Sequence, residues 1–157
     1  MAVTNTPIFP QAVVNTGCAL RNGTGLVQFG GAGTATGTMS PFFAAGANGS
    51  ILTAITVNCT DTRTCTAVII LSTGGAGGTF VQTLGYAAIA GGGTATDYAV
   101  PSTNLLNGTQ GIGNLPFDSC GNRILYVAAG STLNVGLLST IDLSVGYLYV
   151  NAQGGNL

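Results

Sequence analysis

The side chains best equipped for chemistry in this sequence are four cysteines, Cys18, Cys59, Cys65 and Cys120, and four aspartates, Asp61, Asp97, Asp118 and Asp142. Thiols can ligate zinc, attack a carbonyl or join as a disulfide. The C-x5-C spacing of Cys59 and Cys65 is not a zinc spacing, and with no histidine in the chain nothing completes a four-ligand set. The same absence leaves a nucleophilic cysteine without its base. Two readings of the Cys59–Cys65 pair stay open: a cross-hairpin disulfide in an oxidising environment, or two free, buried thiols in a reducing one. The opening MAVTNTPIFP has neither a basic region nor an apolar stretch of the leader kind, which favours a cytoplasmic setting and free thiols.

The other chemistry-bearing patterns dissolve in the same way. Paired carboxylates at glycosidase spacing require two aspartates brought together, yet all four lie near loops or turns. Asp118, within FDSCGNR, reads as a turn former that satisfies nearby backbone N–H groups. GGAGTATG lacks a G-x-G-x-x-G spacing leading into a helix, and a chain with no lysine has no Walker A loop. Asn22, Asn48, Asn58 and Asn107 stand in N-x-S/T triplets, which a chain rich in Asn, Gly and Thr produces by chance. The sequence therefore predicts no catalytic residues, no metal and no cofactor, and not an enzyme.

The elements that hold these residues are set by an unusual composition. Charged residues make up 4% of the 157 positions, against about 25% in ordinary soluble domains. Lys, Glu, His and Trp are all absent. Without Lys and Glu the chain is poorly supplied for exposed helices. Three scattered arginines cannot neutralise a phosphate backbone, which argues against nucleic-acid binding. Apolar runs such as VIIL are too short to span a bilayer. At 46% hydrophobic with a net charge of −1, the chain is not a disordered one. A surface this neutral suits a protein largely covered by neighbours.

Twenty-six glycines and repeated NG pairs punctuate short apolar segments at near-regular spacing, the pattern of an all-β, antiparallel β-sandwich or jelly-roll-like single domain with long Gly-rich loops. The segments are residues 12–16, 26–29, 51–59, 65–72, 80–87, 124–127, 132–138 and 143–151, with no sustained helical period. Residues 1–16 read as an N-terminal arm and first strand, 17–50 as a Gly-rich extended loop or insertion, and 51–157 as the sandwich core. Across the TDTRT loop, Cys59 is expected to face Cys65, Val57 to face Ala67 and Ile55 to face Ile69 in a hairpin whose two faces are both apolar enough to be covered. In the last strand Ile141, Leu143, Val145, Tyr147 and Tyr149 are expected to point inward. The loop carrying Pro41, Phe42 and Phe43, and the arm carrying Pro7, Ile8, Phe9 and Pro10, are the segments expected to order against a neighbour or to pack in the core.

Four segments in order, AAGANGSILTAITVNCTDT, VPSTNLLN, LPFDSCGNRILYVAAGSTLNV and YVNAQGGNL, resemble a family of small virion structural proteins of tailed bacteriophages. The likeness spans residues 46–157, while 17–45 depart from it, as do the two cysteines flanking TDTRT. The resemblance implies a β-rich, non-enzymatic virion protein assembled in the host cytoplasm. Its expected place is the head surface, as a capsid cement or decoration protein. Its expected partners are the major capsid protein and itself, in a homotrimer, with Pro7, Ile8, Phe9, Pro10, Phe42 and Phe43 as contact residues. A tail, neck or fibre-associated module is the alternative within that class. A carbohydrate-binding sandwich using Tyr86, Tyr98, Tyr126, Tyr147 and Tyr149 as stacking platforms is the alternative outside it.

Overall fold

Segments rich in Val, Ile, Leu and Thr between glycine-rich breaks become strands because branched side chains pack well on a pleated surface and glycine does not. The computed structural model describes residues 12–21, 28–29, 35–36, 39–61, 63–73, 79–91, 102–107, 111–138 and 146–157. These contain β1 (Ala12–Arg21), β2 (Gln28–Phe29), β3 (Ala35–Thr36), β4 (Met39–Ala44), β5 (Ser50–Cys59), β6 (Cys65–Thr73), β7 (Thr79–Ile89), β8 (Ser102–Asn104), β9 (Gly111–Ile112), β10 (Leu125–Val127), β11 (Ser131–Leu137) and β12 (Tyr147–Asn156), with no helix among the described residues. The first sheet runs β1-β12-β5-β10, with β8 also on β5, and the second runs β4-β11-β6-β7-β9. The short β2 and β3 pair only with each other.

The pairings have a single logic. β1 lies against β12, β4 against β11, β5 against β10 and β6 against β7, all antiparallel. The two halves of the chain thus run beside each other as one long hairpin whose turn is the β6–β7 connection. Winding that hairpin drops its successive rungs alternately into the two sheets, and the ladders β12–β5 and β11–β6 close each sheet. This is the jelly roll, an architecture of two packed antiparallel sheets.

That winding corrects the expected hairpin. β5 and β6 are not hydrogen-bonded neighbours; they belong to opposite sheets, and the loop between them is an arch. Ile55 and Val57 line the same core as Ala67 and Ile69, but from the facing sheet. A five-residue connection and period-2 alternation are equally compatible with a side-by-side hairpin and with an arch, so neither distinguished them. β4 is a second correction. It lies inside the stretch expected to be loop, yet pairs with β11 from Met39 to Ala44.

One cluster of buried apolar side chains fills the space between the sheets, drawing on both. Phe42 and Phe43, expected as contact residues, are 3% and 2% exposed and belong to it. Consecutive residues of a strand normally face opposite ways. Here the β4–β11 register passes from Phe43↔Leu133 to Pro41↔Asn134, so Phe42 is the extra residue of a bulge, which lets both rings turn inward. A similar shift in the β12–β5 ladder leaves Thr53 extra, and the buried positions of β5 step from Leu52 to Ile55. At that bulge Gly154 sits so close to β5 that a Cβ would strike the Ile51 carbonyl oxygen. Pro7, Ile8, Phe9 and Pro10 lie outside the described residues.

Over β6 and β11 the second sheet is covered on its outer face as well. Val68 and Ile70 point away from the main core, yet are fully buried with Met39 and Leu138 packed on them. Beside them Asn134 Nδ2 donates to Ser72 Oγ at 2.7 Å and to the Thr132 carbonyl at 3.3 Å. All seven residues of β11 are buried. The apolar second face expected for residues 65–72 is thus covered.

Two outcomes follow for stability. Phe42→Ala should cost about 3–5 kcal/mol in denaturant unfolding; a contact-only role would instead leave stability unchanged. Gly154→Ala should cost about 1–3 kcal/mol by the same measurement, because the added methyl must displace backbone rather than a flexible side chain.

Candidate functional site

The residues singled out for chemistry do not converge. Cys59 closes β5 and Cys65 opens β6, and the two buried thiols hydrogen-bond each other across the arch without a disulfide. The Cys65 thiol donates to the Cys59 sulfur, which favours the thiolate at Cys59 and brings its pKa down to about 7. The same bond, with burial, pushes Cys65 far up. Between them Asp61 is buried in the arch, where its Oδ1 accepts from the Arg63 backbone N–H at 2.9 Å and lies 3.6 Å from Arg63 Nε. Cys18 points inward from β1, where burial pushes its thiol up, and Cys120 is exposed on a distant turn. Among the described residues no three of His, Cys, Asp and Glu are grouped to hold a metal ion. Asp97, Asp142 and Tyr98 lie outside the described residues.

The segments that carry the family resemblance act as joints of the fold. In GANGS, Gly49 takes a φ of 93°, a conformation that side chains disfavour. The Ser50 hydroxyl accepts from Gly46 N–H at 2.9 Å and donates to Asn156 Oδ1 at 2.7 Å, joining this turn to the end of β12. In VPSTNLLN, Asn104 Oδ1 accepts from the N–H of Ile55 at 3.3 Å and of Leu106 at 3.1 Å, while Leu105 and Leu106 are fully buried. In FDSCGNR, Asp118 Oδ1 accepts from Cys120 N–H at 2.9 Å and Asn122 N–H at 2.8 Å, as expected of a turn former. Phe117 and Arg123 bridge the base of that turn, the guanidinium carbon 5.6 Å from the ring centre.

The broadest exposed sheet surface among the described residues is the outer face of the first sheet. Leu148, Val150 and Ala152 of β12 are buried, so Tyr147 and Tyr149 point outward, reversing the inward face expected for this strand. Their rings stack at 5.7 Å with 18° between planes. Tyr149 is 40% exposed, Tyr126 on β10 55% and Val13 on β1 93%. Asn151, Gln153, Ile51, Ala54, Thr56 and Asn58 share the face, and β5, β8, β10 and β12 contain no charged residue at all. A shallow groove of about 440 Å³ runs between Val13, Ile51 and the Gln153–Gly155 segment. Tyr86 is exposed on the other sheet, beside a second shallow depression lined by Thr66, Leu84 and Gly111.

The β1 edge borders this face; among the described residues no strand pairs with its outer side, while Thr16 Oγ1 donates to the Phe42 carbonyl of β4 at 2.9 Å. Among the described residues the other edges are β10 and β8 with three residues each, β9 with two, β7 where β9 covers only Gly85 and Tyr86, and β4, where Pro41 removes a donor. Brevity and proline are standard ways to blunt a sheet edge. β1 has ten residues, and from Ala12 to Leu20 it holds neither charge nor proline. An uncharged face beside a long edge strand can bind another protein chain by packing and strand addition. Sequence reasoning missed this surface because the inward and outward sides of β12 were exchanged.

The Asp118 turn gives a pH test. Hydrogen bonds from the Asn122 backbone N–H, chiefly, and from Asn122 Nδ2 and Cys120 N–H hold its carboxyl below the usual carboxylate range. A depressed folded pKa means the turn is supported above the ordinary value and loosened as pH falls through the depressed one. The amide resonances of Cys120 and Asn122 should therefore shift together in that acidic range, and in Asp118→Ala they should not titrate. Comparison with protein-family models, curated proteins and solved structures finds no match for this chain.

Proposed function

We propose that this chain is a non-enzymatic structural protein of a virus particle, a cement or decoration protein on the head of a tailed phage. In this reading the outer face and β1 edge of the first sheet dock against major capsid subunits and against further copies of the chain in a homotrimer. The single observation that carries the docking role is a broad, exposed sheet face with no charge on β5, β8, β10 or β12, beside a ten-residue edge strand uncharged from Ala12 to Leu20. The likeness of the four segments to phage virion proteins supplies the particle and the partner.

The physics of such a contact is simple. Burying apolar area contributes about 25 cal/mol per Å², so roughly 200–300 Å² per contact gives several kcal/mol before ordering costs. Repeated over many sites, that clamps neighbouring subunits together. With few charges taking part, attachment should depend only weakly on salt. Strand addition at β1 meets no like-charge repulsion between Ala12 and Leu20.

A carbohydrate-binding role is the second reading, favoured by the outward Tyr126, Tyr147 and Tyr149. Mutual stacking occupies one face of Tyr147 and one of Tyr149, which leaves less ring surface for a sugar.

Counting copies per particle tests the placement: hundreds fit a head protein, a few or dozens fit a tail part. Val13→Asp combined with Tyr149→Asp should weaken capsid attachment by roughly tenfold or more, about 1.4 kcal/mol, with the thermal midpoint little changed since both side chains are exposed. Undiminished attachment by that variant, or a strict monomer in light scattering that binds no capsid, sinks the reading. Glycan-array binding lost in Tyr149→Ala would promote the second one.

A further inference from the structure

We propose that Cys59 and Cys65 are a built-in oxidation site, at which a small peroxide converts the hydrogen-bonded thiol pair into an intrachain disulfide tying the first sheet to the second. The geometry carries this. The two residues end β5 and begin β6, strands of opposite sheets joined only by the 60–64 arch. Both are fully buried in the common core, on either side of the arch, and each thiol interacts with the other. A cysteine serving as a small core hydrophobe has no need of a second thiol against it. Cys18 and Cys120 lie elsewhere, on β1 and on the exposed turn, so neither competes within the chain.

The surroundings select the oxidant. Both thiols are buried, which excludes a bulky disulfide such as oxidised glutathione and leaves a small oxidant such as hydrogen peroxide. The Cys65 thiol supports the thiolate at Cys59, which makes Cys59 the attacking sulfur. The Cys59 thiolate attacks one peroxide oxygen; the O–O bond breaks, hydroxide leaves and a sulfenic acid forms. Hydroxide takes up the proton that Cys59 had released and becomes water. The Cys65 sulfur then attacks Cys59 Sγ and gives up its proton; the S–O bond breaks and a second water departs. Two thiols and one peroxide yield one disulfide and two waters, the sulfurs losing the two electrons that the peroxide gains. The chain would stay reduced in a cytoplasm and close once outside it. This site does not depend on the docking role.

The experiment uses the full chain carrying Cys120→Ser, which removes coupling between molecules. After treatment with hydrogen peroxide the protein is denatured, alkylated with iodoacetamide, cleaved after arginine and mapped. Cleavage after Arg63 separates the two cysteines, so a disulfide appears as two peptides joined through Cys59 and Cys65, with the chain lighter by two hydrogen atoms. The thermal midpoint should rise by roughly 5 °C and fall back on reduction. A further Cys65→Ser change should abolish the link and leave a Cys59 sulfenic acid that dimedone traps; should that variant not fold, the peptide map of the parent decides alone. Recovery of both residues as alkylated thiols, a link from either to Cys18, or oxidation to sulfinic acid without a link would overturn the proposal.

Discussion

The first sheet depends on the hydrogen-bond ladders of β12. This strand pairs with β1 over ten residues on one side and with β5 over nine on the other. Without it β1 and β5 have no common partner, and Leu20, Ile55 and Val57 lose the wall that holds them against the second sheet. The turn at Gly46–Ser50 is tied to the same strand through Asn156, and the N–H of Leu157 reaches the Gly49 carbonyl at 3.0 Å. Close backbone approach at Gly154 completes the fit. Two ends of the chain, far apart in sequence, are thus bound into one sheet by backbone groups that could not be left unpaired in the interior.

The two outer faces answer the shortage of charge differently. Over β6 and β11 the second sheet is covered, its polar groups satisfied by the Asn134–Ser72–Thr132 network in place of water. The first sheet leaves Asn, Gln, Thr and Tyr in the open, with the backbone of β1 beside them. Neutral polar groups keep such a face wettable without repelling a similar one, the property a packing surface requires. Among the described residues the one buried ionisable carboxyl is Asp61, and it is engaged by the Arg63 backbone and guanidinium.

Strand content was legible in the sequence because branched residues between glycines leave few alternatives. Residues 51–59 and 65–72 match β5 and β6 within one residue at either end. Partnership was not legible: alternation along Ile51–Cys59 reports which residues are buried and says nothing of which strand lies alongside. Bulges then corrupted the alternation itself. Phe42 and Phe43 read as a loop pair because no regular strand buries two successive rings, and the extra residue opposite β11 that makes it possible leaves no trace in composition. The inward face of the last strand was counted from Ile141, ahead of the described strand, and carried the tyrosines to the wrong side. The Cys59–Cys65 proximity was anticipated, though from a hairpin that does not exist; the arch brings the thiols together by a different route.

The position of β12 also dictates the order of events during synthesis. A ribosome delivers β1, β5 and β10 before β12, so the nascent chain presents long unpaired strands until that central strand has emerged. Folding through distant contacts of this kind is slow, and uncharged strands waiting for a partner can find it on a neighbouring nascent molecule. A cell making this protein in bulk faces a race between intramolecular closure and tangling, and the speed of translation between β11 and β12 helps decide it.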